Sequence, residues 1–256
     1  MTSRVPPISS TRCSDVTVIH LNRPHRLNAV VPELVDGLLD ALEQARRDQV
    51  RAVVLAGRGR AFCSGHDLRE EPPADGAEAA RRRIDRIQDV TRTIRSLPFP
   101  VIAAVHGYAL GAGCEFALSC DLVVAGTDAW FGFPEISVGL SVTGGVSRLL
   151  TAALGLLRAK ELVLLGERFD AAEAARLGLV NRLVPAGTHE EAATELARAL
   201  ARKPPFALAI AKRSFDSGLD GTLEAALERE TTDALLTLAH GEAEAGRNAF
   251  TARKGA

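Results

Sequence analysis

Four short runs rich in apolar and β-branched residues recur along the first half of the chain: VTVIHL (16–21), RAVVLAG (51–57), PVIAAV (100–105) and DLVVAG (121–126). Runs of this length and composition read as strands. Two of the intervals between them hold long stretches with apolar residues at helical spacing. These are PELVDGLLDALEQARRD (32–48), with Pro32 suited to a first turn, and AEAARRRIDRIQDVTRTIRSL (77–97). Strands alternating with helices predict an α/β fold. The remaining intervals are turns and loops, namely GRGRAFCSGHDL (57–68), PPADG (72–76) and GYALGAG (107–113). From about Thr143 onward the pattern is helical, with glycines at 155, 166, 178 and 187 between short helices. After Lys203-Pro204-Pro205 come two or three amphipathic helices. A core over 1–200 and a helical appendage over 201–256 are therefore expected. The apolar stripe of the appendage needs a partner, and a second subunit is one solution.

The overall balance excludes some functions. With 31 basic and 32 acidic residues in 256, nothing favours nucleic acid or a membrane surface. No apolar run is long enough to span a bilayer. The first ten residues, MTSRVPPISS, lack the apolar stretch of a secretory signal. The four cysteines, Cys13, Cys63, Cys114 and Cys120, form no CxxC pair. Free thiols in a reducing, cytoplasmic setting are expected.

Several residues could carry chemistry. GYALGAG lies between a strand and the helix-like AGCEFALSC. The first N–H groups of a helix have no internal partner and carry partial positive charge. The junction therefore reads either as a tight turn or as an anion or oxyanion site. Glu115 sits one turn into that helix, on the side of the Ala112 N–H, with Ser119 four residues further on the same face. A second isolated acid, Glu135, lies in FGFPEISVGLSVTGG, where nothing else between Asp128 and Arg148 is charged. Each glutamate has a plainer reading, as an acid favoured in a first helical turn. Together, two lone carboxylates in apolar contexts are the ingredients of acid/base catalysis. Ser64, His66 and Asp67 are triad residue types, but neighbouring side chains diverge and no GxSxG elbow is present. His66 lacks the companions of a metal ligand, so no metal is expected. The arginines of 77–97 (81, 82, 83, 86, 92 and 95) read as a solvated face, one or two of which could meet a phosphate-rich ligand. Tyr108 and Trp130, the only Tyr and Trp, read as packing residues.

Taken in order, these segments resemble the crotonase, or enoyl-CoA hydratase/isomerase, superfamily. The resemblance rests on LNRPHRLNA (21–29), GRAFCSGHDL, PVIAAVHGYALGAGCEFALSCDLVVA, FGFPEISVGL, LGERFDAAEAARLGLVNRLVP and KPPFALAIAKRS. It implies a spiral of ββα units with a C-terminal helical trimerisation region, and a homotrimer or a hexamer built as a dimer of trimers. It implies an acyl-CoA thioester substrate and no cofactor beyond the coenzyme A of that substrate. It places the backbone N–H groups of His66 and Ala112 in an oxyanion hole. Glu115 and Glu135 fall where family hydratases hold the water that adds to the double bond, with Glu135 taking the main acid/base role. His25, Arg26, Ser64, Gly65, Asp67, Leu68, Gly111 and Pro134 fall at substrate- and CoA-binding positions.

Two departures from the family pattern stand out. LSVTGG after Gly139 is one residue shorter than usual and has no proline, which bears on the acyl pocket and the water site. The end of the chain, Arg253-Lys254-Gly-Ala, lacks the usual Pro-x-Phe continuation, so a CoA contact from a neighbouring subunit is expected to be missing. The implied function is hydration of a trans-2-enoyl-CoA to the 3-hydroxyacyl-CoA. The alternatives are another crotonase chemistry (isomerisation, thioester hydrolysis or C–C cleavage) or a non-catalytic acyl-CoA-binding protein.

Overall fold

A computed structural model describes residues 5–70 and 76–254. In chain order the strands are β1 (Ile8–Cys13), β2 (Val16–Leu21), β3 (Ala52–Gly57), β4 (Val101–Val105), β5 (Tyr108–Leu110), β6 (Leu122–Gly126), β7 (Trp130–Gly132), β8 (Arg168–Asp170) and β9 (Arg182–Val184). The helices are α1 (Pro32–Arg47), α2 (Gly76–Ser96), α3 (Ala112–Ser119), α4 (Val146–Leu154), α5 (Leu156–Leu165), α6 (Ala171–Arg176), α7 (His189–Ala201), α8 (Pro205–Gly218), α9 (Leu223–Ala239) and α10 (Gly241–Lys254).

The larger sheet runs β1-β2-β3-β4-β6-β9 and is parallel apart from the β1–β2 pair. The smaller sheet runs β5-β7-β8. Each turn of the chain adds a strand to the large sheet, then a short strand to the small one, then helix: β4, β5, α3, followed by β6, β7 and α4. Earlier turns do the same in abbreviated form. After β3, Cys63 bridges Ala109 of β5, and after β2, Val30 bridges His66. The small sheet thus continues as single pairings through 63–66 and 30. This is the ββα spiral.

The strands of the large sheet read as continuous apolar runs because both faces are covered. In β3 every residue is buried. Val53 and Leu55 face the core shared with α1, whereas Ala52, Val54 and Ala56 face Ala193, Leu196 and Ala197 of α7. Helix α1 buries Leu34, Leu38 and Leu42 at helical spacing, each contributing about 2 kcal/mol by removal from water.

The four strands and two long helices read from the sequence are present within a residue at each end. The loop expected at 72–76 lies outside the described residues except for Gly76. The purely helical reading after Thr143 needs correction, because β8 and β9 lie there; β1, β5 and β7 were also not anticipated. Four of these five strands have three residues, too few for a period-two pattern, and exist because a neighbour supplies the pairing. Trp130 is also corrected: the residue stands 44% exposed on β7. Tyr108 is half-buried, with the Arg168 guanidinium over its ring.

Three helices follow Pro204, as expected. Helix α8 is anchored by Lys212, whose buried ammonium donates to the carbonyls of Ile94 (2.7 Å) and Phe99 (3.1 Å) and to the Asp121 carboxylate (2.8 Å). Every proton of the buried charge has an acceptor, which such a group requires. Helix α9 attaches through Asp233, which accepts from Arg213 and Ser214 of α8. Leu223, Leu235 and Leu238 of α9 and Phe215 of α8 stay exposed.

Candidate active site

The site begins with two loops laid side by side. The Cys63 N–H donates to Tyr108 O (2.8 Å) and the Leu110 N–H to Cys63 O (3.0 Å). This pairing carries Gly65 and His66 alongside Gly111 and Ala112. A side chain on Gly111 would begin 3.7 Å from Gly65 Cα and 2.8 Å from Glu135 Oε1. Gly111 also has φ of +52°, so both conformation and space demand glycine here.

Two N–H groups are left over. In the bridge to Val30, the flanking groups pair: Val30 N–H donates to Gly65 O and Asp67 N–H to Val30 O. The N–H of His66 therefore points away from that pairing. Ala112 is the first residue of α3, where an N–H has no intrahelical acceptor. Among the described residues neither N–H has an acceptor. Two unpaired donors on adjacent backbones are the requirement for an oxyanion site.

Glu115 and Glu135 are both buried, at 2% and 6% exposure. Glu115 lies on α3 and its N–H donates to Gly111 O (2.9 Å). Its carboxylate accepts from the Thr143 N–H at Oε1 and the Thr143 hydroxyl at Oε2, both at 2.6 Å. Burial raises its pKa and the two Thr143 bonds oppose the rise. Glu135 sits in the one-and-a-half-turn 3-10 helix Pro134–Val138. Burial pushes its carboxyl up to about 7, with the neighbouring Glu115 charge adding to the rise. Its Oε2 is buried with no partner. The two acids are thus unequal: one has both oxygens clamped by donors, whereas the other turns its Oε1 towards Gly111 and leaves its Oε2 buried without a partner.

The remaining predicted residues divide. His25, Arg26, Ser64, Asp67 and Leu68 line one cavity of about 340 Å³, together with His66, Arg60 and Arg69. Gly65 (φ +91°) forms the turn beneath it, and Gly111 and Pro134 lie with the glutamates instead, Pro134 opening the turn that presents Glu135. The Asp67 carboxylate is engaged with Arg23 (3.2 Å), so it organises the loop.

Comparison with known proteins decides the family. The family model described as Enoyl-CoA hydratase/isomerase matches residues 11–256. The chain belongs to this enoyl-CoA hydratase/isomerase family. It is 36% identical to the 2,3-dehydroadipyl-CoA hydratase of Escherichia coli K12 over 95% of each chain. It is 35% identical to the mitochondrial enoyl-CoA hydratase of Pongo abelii, covering 93% of this chain and 82% of that one. Among solved structures, an enoyl-CoA hydratase subunit of Geobacillus kaustophilus superposes with a TM-score of 0.90 at 36% identity, covering 96% and 95% of the two chains. A structure described as a putative enoyl-CoA hydratase from Streptomyces coelicolor gives the same TM-score at 39% identity, covering 99% and 94%.

Within this family member, three features were not read from the sequence. Asn28, fully buried at φ +56°, accepts from the Arg23 N–H and donates to the carbonyls of Arg58, Ala61 and Phe62. It shapes the loop that delivers His66. Asparagine's tolerance of the left-handed region was its only local signal. Arg60 and Arg69 join the cavity from loop positions with no periodicity to mark them. The hydroxyl of Thr143 was not anticipated either. The cysteines are free thiols, as expected. Cys63, on one site loop, and Cys114, in α3, are fully buried, and burial pushes Cys63 up to about 12 and Cys114 up as well, so no thiolate nucleophile is available there. Among the described residues no three His, Cys, Asp or Glu side chains converge as a metal site, and no helix is long and apolar enough to cross a membrane.

Proposed function

We propose that the protein is an enoyl-CoA hydratase, adding water across C2=C3 of a trans-2-enoyl-CoA to give the 3-hydroxyacyl-CoA. The observation that carries this reading is the pair of buried, unequal carboxyls beside two unpaired N–H donors. The thioester oxygen gains negative charge as water attacks C3, and the His66 and Ala112 N–H groups stabilise it, each donor contributing about 3 kcal/mol. Glu115 holds the water and takes its proton. Glu135 carries the proton that C2 receives. Although Thr143 bonds both Glu115 oxygens, each carboxylate oxygen has a second lone pair, so a water can still be held.

The test is a panel of enoyl-CoAs of increasing chain length, followed by loss of the conjugated-thioester absorbance and by product mass. A gain of one water supports hydration; no reaction with any chain length removes the proposal. The Thr143 contacts also favour a second reading, in which Glu135 alone shuttles a proton and the double bond migrates. That product has unchanged mass.

The coenzyme A moiety is assigned to the cavity of His25, Arg26, Ser64 and Leu68, with Arg60 and Arg69 added as phosphate-binding cations. None of these three arginines has an ion-pair partner among the described residues. Arg60→Ala and Arg69→Ala are each expected to raise KM roughly tenfold with little change in kcat, an effect that shrinks in high salt. An unchanged KM in both would move the phosphates elsewhere.

The exposed Leu156, Leu157, Leu164 and Leu165 of α5 add to the apolar surface of α8 and α9. Apolar surface on this scale is proposed to be covered in a homotrimer or a hexamer. Sedimentation at micromolar protein is expected to give three or six chain masses; a monomer would contradict this.

A further inference from the structure

Thr143 does more than touch Glu115. It grips the carboxylate with both of its donors, and its loop is tied down behind it. The carbonyl of the next residue, Gly144, accepts from the buried hydroxyl of Thr91 on α2 (3.2 Å). Thr91 lies 2.8 Å from the Ser119 hydroxyl, which in turn donates to the backbone carbonyl of Glu115 (2.7 Å). The two hydroxyl protons make two of these three contacts at a time, and the three contacts together close a ring from α3 through α2 to the 143–144 loop and back. Glu115 Cβ stands 3.0 Å from where a Gly144 side chain would begin, so the loop lies directly on the acid. This is the same loop that is one residue shorter than the family pattern, and its closeness places a threonine where both its donors reach one carboxylate.

We propose that Thr143 is a positioning residue: its side-chain hydroxyl, backed by the Thr91 tether, fixes the Glu115 carboxylate as the base that faces the reacting water. This rests on the hydratase reading for the role of the water, but not for the grip on the carboxylate. A donor aimed at a carboxylate favours its charged form, and bonds to charged groups are the strong ones. Losing the hydroxyl raises the pH at which Glu115 gains a proton. Because the base must be ionised, the acidic limb of activity moves to higher pH.

The experiment compares Thr143→Val, Thr143→Ser and Thr91→Val in the full-length protein. Thr143→Val keeps the N–H and the shape and deletes only the hydroxyl. It is expected to lower kcat about tenfold with KM within about twofold, and to move the acidic limb of the kcat profile up by about one pH unit. Thr143→Ser is expected to restore both. Thr91→Val loosens the loop but keeps the Thr143 hydroxyl, and is expected to move the limb by clearly less than Thr143→Val does. A lower kcat with an unmoved limb, failure of serine to rescue, or an equal limb shift in Thr91→Val would overturn the proposal. A second readout does not depend on activity: the Glu115 carboxyl titration by carbon NMR in glutamate-labelled protein, its signal assigned by loss in Glu115→Gln. If the wild type hydrates no enoyl-CoA, the hydratase reading fails while this titration still decides the grip. A higher Glu115 pKa in Thr143→Val supports it and an unchanged one overturns it.

Discussion

Replacing Glu135 with Gln is expected to lower kcat for enoyl-CoA hydration about a thousandfold while acyl-CoA affinity stays within about threefold. Glutamine keeps the size of the side chain and its place in the 3-10 turn but cannot hand a proton to C2. Equal loss of binding, read by titration calorimetry with a non-reactive acyl-CoA, would recast Glu135 as structural. The pH dependence tests the same role from another side. Burial and the Glu115 charge raise the Glu135 carboxyl to about 7. On the proposed mechanism the active pair holds one proton, on Glu135, with Glu115 ionised. Raising the pH through 7 removes that proton, so kcat/KM for hydration is expected to fall on the alkaline side of about 7. Hydration takes up no net proton, so kcat/KM for dehydration follows the same profile, each direction requiring one proton on the pair. In Glu135→Gln this limb disappears from the residual activity. Activity that instead rises through pH 7 would assign the water-activating role to Glu135.

The second large effect is expected at the backbone. A methyl group on Gly113 would stand 2.3 Å from Cys63 O and 2.7 Å from Cys63 Cβ, too close for the 63–66 backbone to stay where it is. Gly113→Ala therefore pushes the 63–66 segment away from α3 and separates the His66 and Ala112 N–H groups. Losing the use of one donor at an oxyanion typically costs 100- to 1,000-fold, and a fall in kcat of roughly that size is expected. Thermal unfolding and circular dichroism distinguish a misaligned site from a misfolded chain. Ala112→Pro supplies an independent route. Proline suits the first position of a helix, so α3 is kept while the N–H is deleted outright. A fully active Ala112→Pro enzyme would remove Ala112 from the oxyanion site.

Much of the architecture was legible from local pattern. The runs at 16–21, 51–57, 100–105 and 121–126 are apolar without alternation because helices cover both faces of the sheet they form. That requirement is written into every residue of each strand. The helix beginning at Ala112, and Glu115 one turn into it, followed from a glycine-rich junction and helical spacing. The helical appendage followed from Pro204-Pro205 and the amphipathic runs beyond it. Strands β5, β7, β8 and β9 were not legible, because a three-residue strand is defined by the neighbour it pairs with. The cavity proposed for coenzyme A was half legible. His25, Arg26, Ser64 and Leu68 were placed by resemblance, while Arg60 and Arg69 carry no pattern of their own.

By itself, the sequence determined which long strands and helices bury their apolar residues and which two acids are isolated among apolar neighbours, since both follow from local pattern along the chain. Only the tertiary structure decided how those acids differ. Glu115 is clamped by Thr143, 28 positions away, whereas Glu135 lies with its Oε1 against Gly111 and its Oε2 buried without a partner. The Lys212–Asp121 anchor and the pairing of Cys63 with Ala109 belong to the same class. The reason is physical: the free energy of a buried polar group is set by the donors and charges that surround it in space, and the fold draws those from segments that share no local pattern.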